Sequence, residues 1–215
     1  MDHRQGHRGF PVVRNPAALA ILVGFLGLLV GVLTAYGQEW LPEEMNSLAN
    51  SSGSWSLMAF LLALLAASPR TAAACGALAL AALLGGYVLG AEVRGYPPSS
   101  ALITFWGLAA VLVGPFLGLG ARWVRSGPAP LTALGVGGVS GVLIGEGAYG
   151  LLFIADTTYP PYWWGEIFAG VVLLCWVATW RLRRLVPVAL SAVVSIAIAA
   201  AFVGVYSGDL IAFFS

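Results

Sequence analysis

A chain of 215 residues that is 60% hydrophobic, only 9% charged and of mean hydropathy +0.90 is unlike a soluble domain, which runs about 45–50% apolar and about 25% charged. Such a composition suits lipid as the solvent, and the short loops leave no room for an extramembrane domain. The formal net charge of +1 hides a segregation of charges, and no basic cluster is interleaved with aromatic residues, so nucleic-acid binding is discarded as a function class.

Residues 1–15 hold Arg4, Arg8 and Arg14 and read as a basic cytoplasmic tail. Helix 1 is predicted over about 16–37, long enough to span about 30 Å of hydrocarbon, and Leu33 is a poor −3 residue for a cut after Ala35, so an uncleaved helix is expected. The stretch 38–53 carries Glu39, Glu43 and Glu44 without arginine. Helix 2 returns through Trp55 to Ala67 and ends at Ser68-Pro69-Arg70, where proline stops the helix. Helix 3 (about 71–91) leads to an Arg94–Ser100 loop with Pro97 and Pro98; helix 4 (about 101–121), kinked at Gly114-Pro115, returns to Arg122 and Arg125. After a turn at 126–130, helix 5 (about 131–154) runs to the segment Asp156 to Pro161. Helix 6 (about 162–180) returns to Arg181, Arg183 and Arg184, and helix 7 (about 185–206) follows. The expected fold is therefore all-α: a polytopic transmembrane bundle of seven helices, one domain over 16–207, with a short outer tail over 208–215.

All ten basic residues are arginine, and nine of them, all but Arg94, fall on one side of this topology. Basic groups beside short loops resist translocation, so the arrangement reads N-in/C-out, with the bundle in the cell (plasma or inner) membrane. Tryptophans provide an independent check, because their rings favour the headgroup belts: Trp40, Trp55, Trp106, Trp163 and Trp164 are expected at outer ends, Trp123 and Trp180 at inner ends, and Trp176 a turn deep. Cys75 and Cys175 sit in apolar segments and read as packing residues.

Glu146 is the most informative single residue. Counted from position 131 it lies roughly 22 Å into a core about 30 Å thick, and an intramembrane carboxyl suggests a functional site by default. Tyr149 shares its face, while Gly137, Gly141, Gly145 and Ala148 form a small-residue stripe opposite, of the kind that admits a second helix closely. A Glu that only ties helices together would use the same position. The run Asn46 to Trp55 is the second feature: helix 2 from Trp55 to Ala67 is about 20 Å long, short of the bilayer core, so part of the polar run dips inward. Asn50, Ser52 or Ser54 is expected to cap helix 2 and line an outward pocket. Third, eight acids, Glu166 among them, share the outer half with Arg94, a field that concentrates cations. Arg94 itself is expected to pair with Glu92 or an outer-loop acid, or to meet a ligand anion.

No catalytic constellation emerges. Gly138-Val139-Ser140-Gly141 has the Gly-x-Ser-Gly form of rhomboid-type intramembrane proteases, but the only histidines, His3 and His7, are in the tail and supply no base. Two cysteines and no membrane histidine offer no metal site, and no cofactor motif is present.

Gly31-Val32-Leu33-Thr34, Gln38, Trp40-Leu41-Pro42, Leu48-Ala49-Asn50-Ser51, Trp55 and Ala59-Phe60 together resemble a family of small multi-pass membrane proteins of high-GC bacteria known as a domain of unknown function. The resemblance covers roughly residues 24–65, with weaker support from helix 3 and from Gly145-Glu146-Gly147-x-Tyr149, and implies a cell-membrane location and no known activity. A looser likeness is to substrate-binding subunits of energy-coupling-factor transporters, bundles of about six helices whose first outer loop covers an outward pocket. Seven helices would be one too many, and helix 1 shows no clear small-xxx-small run.

The functional expectation is an integral membrane protein that binds, or helps translocate, a small and cationic solute from the outer side. Its pocket would be lined by Tyr36, Asn50, Ser54, Glu146 and Tyr149, with Glu166 near the rim. The alternative is a non-catalytic structural or accessory subunit that docks a membrane-protein partner through its glycine-rich helix faces. The lipid bilayer is a partner under both.

Overall fold

The computed structural model describes residues 11–208, the side chain of Asn50 excepted; His3, Arg4, His7, Arg8 and Asp209 lie outside the described residues. The bundle is all-α, as expected. Its elements are α1 (Pro16–Trp40), α2 (Glu43–Asn46) continued by a 3-10 turn (Ser47–Asn50), α3 (Ser52–Ala63), α4 (Pro69–Val93), α5 (Ser100–Leu112), α6 (Gly114–Ser126), α7 (Ala129–Phe153), α8 (Pro160–Val177) extended by a π turn (Ala178–Leu182), and α9 (Leu185–Ser207).

Among the described residues six stretches are long and apolar enough to cross a membrane: α1, α4, α5 with α6, α7, α8 with its π turn, and α9. The expected seventh span is corrected to a half-length helix, because α3 has only 12 residues, about 18 Å. The polar run before it supplies the remaining height in a turn rather than in α-helix. Even so, the C-terminal end of α3 reaches the arginine-bearing face. Leu65 accepts a hydrogen bond of 2.9 Å from the Val13 amide ahead of α1, and the Arg125 guanidinium at the end of α6 donates to the carbonyls of Leu64 and Ala66. The α5–α6 break falls at Val113, just ahead of Pro115, where the expected kink was placed.

Close approach of backbones holds the bundle together. The buried side of α1 is Leu19, Val23, Gly27, Gly31 and Ala35, a four-residue repeat that packs on α4. The small-xxx-small run thought missing from helix 1 is thus present as Gly27-xxx-Gly31-xxx-Ala35, in register with Ala79, Leu83 and Gly90 of α4. At Gly31 a Cβ would overlap the Leu83 carbonyl, and at Gly86 the Leu28 carbonyl, so each helix needs its glycine where the other's backbone passes. The stripe on α7 is covered within the chain as well: a Cβ at Gly141 would lie 2.7 Å from the Ser195 carbonyl oxygen of α9, and one at Gly145 2.9 Å from Ala199 Cα.

α3 lies at the centre, packed against α4, α6 and α7 and buried along most of its length. This overturns part of the tryptophan reading. Trp40 and Trp164 are exposed, but Trp55 and Trp163 turn into the bundle at 6% and 4% exposure; Trp55 packs on Trp106 and Tyr87 with ring centroids 4.6 and 6.0 Å away. Two rings counted as headgroup anchors are core residues.

Gly31→Leu is expected to destabilise the protein by about 1–3 kcal/mol through overpacking at the α1–α4 contact. Gly24→Leu, at a position with open space, should leave unfolding in detergent unchanged; equal losses for the two would contradict the packing described.

Candidate functional site

The site begins with the run that interrupts α3. Ser51 leaves the 3-10 turn with extended backbone (φ −88°, ψ 124°), and its Oγ accepts a 2.9 Å hydrogen bond from the Ser54 amide, the geometry of a serine N-cap. The expectation named Asn50, Ser52 or Ser54 as the cap; Ser51 is the residue that does it. Ser54 instead turns its hydroxyl back to the Ser51 carbonyl (2.9 Å). The cap leaves the Ser52 and Gly53 amides without partners inside α3. They sit about 18 Å from the arginine-bearing face, within an apolar layer of about 30 Å, where an unpaired N–H costs several kcal/mol.

Glu146 answers that need. It lies seven residues before the end of α7, about 10 Å below it, and its carboxyl group takes the Ser52 amide on Oε1 (2.7 Å) and the Gly53 amide on Oε2. One helix's carboxyl thus caps another helix's N-terminus, where the exposed amides and the helix dipole both favour negative charge. Gly53 is required because a Cβ there would collide with carboxyl oxygens of both Glu146 and Glu166.

Glu166, six residues into α8, approaches from the other side at about the same depth. Ser51 Oγ is 2.9 Å from Glu146 Oε2 and 3.0 Å from Glu166 Oε1, so the two carboxyls meet across one serine. A serine hydroxyl has a single hydrogen, so Ser51 either shares it between the two carboxyls or donates to one and accepts from the other when that one carries a proton. The second oxygen of Glu166 is buried and unpartnered among the described residues.

Above this triad opens a cavity of about 400 Å³, with exposed Glu43 and Thr157 at its rim and Ser52, Glu146, Tyr149, Trp163 and Tyr206 among its walls. The Trp163 indole donates to Thr158 Oγ1 (2.8 Å) and lies flat on Gly150. Tyr206 of α9 meets Ser52 Oγ at 2.6 Å. Of the residues named from sequence, Glu146 and Tyr149 line this cavity, and Glu166 stands behind Ser51, off its wall. Ser54 is used up in α3's first turn, and the side chain of Asn50 lies outside the described residues. Tyr36 is elsewhere, 5.5 Å beneath the Arg94 guanidinium, which also contacts Tyr96 and pairs with Glu39 at 2.6 Å. Of the acids weighed for Arg94, Glu39 of the 38–53 stretch is its partner, and the structure places it in the last turn of α1 rather than in a loop. Sequence reasoning did not single out Ser51, Gly53 or Tyr206. The polar run did mark the place for the first two, whereas Tyr206, near the end of an apolar helix, had no distinguishing neighbour. Ser140, of the Gly-x-Ser-Gly segment, is fully buried with an unpartnered hydroxyl among the described residues.

Six apolar spans around a half-length helix, with polar chemistry concentrated at its N-terminus, define a multi-pass membrane protein. The chain belongs to the family of unknown function DUF6518, which matches it over residues 11–211. The resemblance read from residues 24–65 thus extends over essentially the whole bundle. No curated protein and no solved structure matches the chain.

Glu146→Ala strands the Ser52 and Gly53 amides and is expected to cost about 1–3 kcal/mol for each group left unpaired, read by unfolding in detergent. Glu146→Gln, which keeps an acceptor oxygen, should recover part of the loss, and exposed Glu43→Ala should cost nothing measurable. Equal stability of Glu146→Ala and Glu43→Ala would contradict the capping role.

Proposed function

We propose that the protein binds a small cationic solute in the 400 Å³ cavity from the outer side of the cell membrane and helps to move it across, with the N-terminus inside and the C-terminal end of α9 outside. One observation carries the reading: the carboxyl of Glu146, deep in the bundle, forms part of the wall of a cavity whose rim is at the acidic end. The charged side chains on its walls are Glu43 and Glu146, with no arginine, and Arg94 is held by Glu39, the Ala35 carbonyl and two tyrosines. Tyr149, Trp163 and Tyr206 add aromatic faces and hydroxyls suited to an ammonium or guanidinium group. The volume falls within the range of small-molecule sites, about 300–1,000 Å³.

The orientation rests on the arginines at one end of the bundle, Arg14, Arg70, Arg122, Arg125, Arg181, Arg183 and Arg184, and the positive-inside rule. Six spans and the glycine run on α1 also remove the two differences set against the energy-coupling-factor subunits, which supports a solute-binding role. The accessory-subunit reading draws less support, because the glycine stripes on α1 and α7 are spent on α4 and α9 of the same chain.

The reading is tested with protein in lipid nanodiscs and a panel of small amines, quaternary ammonium ions and guanidinium. At least one member is expected to raise Tm with concentration, by the equivalent of about 2.7 kcal/mol at 100 times its Kd. Glu146→Gln should abolish that rise and Glu39→Gln should not. A panel that shifts nothing, or shifts Glu146→Gln as much as the wild type, would refute it. In intact cells a Thr157→Cys variant lacking the two native cysteines should react with a membrane-impermeant maleimide added outside; protection until lysis would reverse the orientation.

A further inference from the structure

The polar cavity has an apolar neighbour. A groove of about 730 Å³ runs down the bundle between α5–α6 and α9, floored by α3 and α7. Its origin is in the glycine packing: α9 is drawn onto α7 along the Gly137–Gly141–Gly145 stripe, α5 leans on α4, and α9 makes no comparable contact with α5 or α6. On its walls, the 12 residues of α9 from Val194 to Val205 cover about 17 Å, more than half of the apolar layer. The lining is hydrocarbon and aromatic, and its hydroxyls, Ser52, Ser56 and Tyr206, all lie at the end next to the polar cavity.

Polar cavity and groove share the walls Ser52, Phe202 and Tyr206. Where they adjoin, Tyr206 OH bonds Ser52 Oγ at 2.6 Å, and the Tyr206 ring rests on Phe202 (4.3 Å), Tyr149 (5.5 Å) and Phe105 (5.7 Å). Tyr206 is the penultimate residue of α9, so this one side chain at a helix end forms part of the partition between the two spaces.

From this adjacency we infer that the solute is a single-chain cationic amphiphile, its amine head in the polar cavity at Glu146 and its apolar chain in the groove between α5–α6 and α9. The inference rests on the proposed function and narrows its substrate class. Each space suits one half of such a molecule and is poor for the other. The acids Glu43 and Glu146 complement a cation and repel a phosphate head, whereas no carboxyl lines the groove to meet a charge. A chain in the groove leaves lipid for a surface of equal polarity, so the head sets selectivity and the chain sets the route, sideways from the bilayer.

The test uses full-length protein in nanodiscs of zwitterionic lipid, with dodecylamine bearing a diazirine at its chain end as probe and n-butylamine as the short competitor. Irradiation is expected to place adducts on the far part of the groove, at Leu112, Phe116, Leu134 or Val194. Excess butylamine or Glu146→Gln should cut them at least fivefold. Ala201→Trp, which fills the groove outside the polar cavity, should remove the adducts while butylamine still raises Tm. Adducts spread over the lipid-facing residues of α1, such as Ile21 and Phe25, and indifferent to butylamine would overturn the inference. If butylamine stabilises the wild type and the groove stays unlabelled, the amphiphile fails and the cation site stands. If butylamine gives no Glu146-dependent rise in Tm and no other small cation does, both fail.

Discussion

The structure turns on two backbone amides, those of Ser52 and Gly53, which begin a helix inside the apolar layer with no partner in their own helix. Both residues are buried, so their amides need a partner within the bundle, and a serine cap accounts for only the Ser54 amide. A carboxyl from α7 takes both. Once Glu146 is fixed in that role other features follow: residue 53 has to be glycine, Ser51 has to present its hydroxyl toward two carboxyl oxygens, and α8 has to bring Glu166 to the same depth. A purely structural cap and a ligand site are therefore not exclusive readings of Glu146. The residue that completes α3 also forms part of the cavity wall.

Glycine sets what that arrangement leaves over. Where Gly31 meets Leu83 and Gly86 meets Leu28, and where Gly137, Gly141 and Gly145 meet α9, helix backbones come into contact and no space remains. Gly138 is on another face of α7, with open space around it, and lines the groove. Dispersion between close backbones holds such a bundle in lipid, where apolar side chains gain little by meeting one another. The same packing that draws α9 onto α7 leaves it apart from α5 and α6. The groove is thus a consequence of where the small residues lie, and its polar end coincides with the interrupted start of α3.

Much of the fold was legible because hydropathy and arginine report directly on membrane crossing. The segments around α1, α4, α7, α8 and α9, the break ahead of Pro115 and the place of Glu146 within α7 were all read within a few residues. The second helix was read as a span because an apolar run ending at Pro69-Arg70 must reach the arginine-bearing face. That is true of its end, while its length of 12 residues makes it half a span. What failed depends on rotation about helix axes and on partners far apart in sequence. Tyr36 was grouped with Glu146 by height alone, yet it faces Arg94. Trp163, near the start of α8, points inward, and Trp55 lies a turn deeper in α3 than the amides that Glu146 caps. A one-residue shift moved the cap from Asn50 or Ser52 to Ser51, a distinction that only the approach of two carboxyls makes.

The most direct measurement of the Glu146 cap is hydrogen exchange at the Ser52 and Gly53 amides of the protein in nanodiscs, compared with its Glu146→Ala variant. In the wild type both amides should exchange as slowly as those of Leu80 and Leu83 in the buried part of α4, despite the cavity beside them. In the variant they should exchange roughly tenfold faster or more while α4 keeps its protection. Fast exchange at these amides in the wild type, or protection that survives the loss of Glu146, would contradict a carboxyl-capped helix as the basis of the structure.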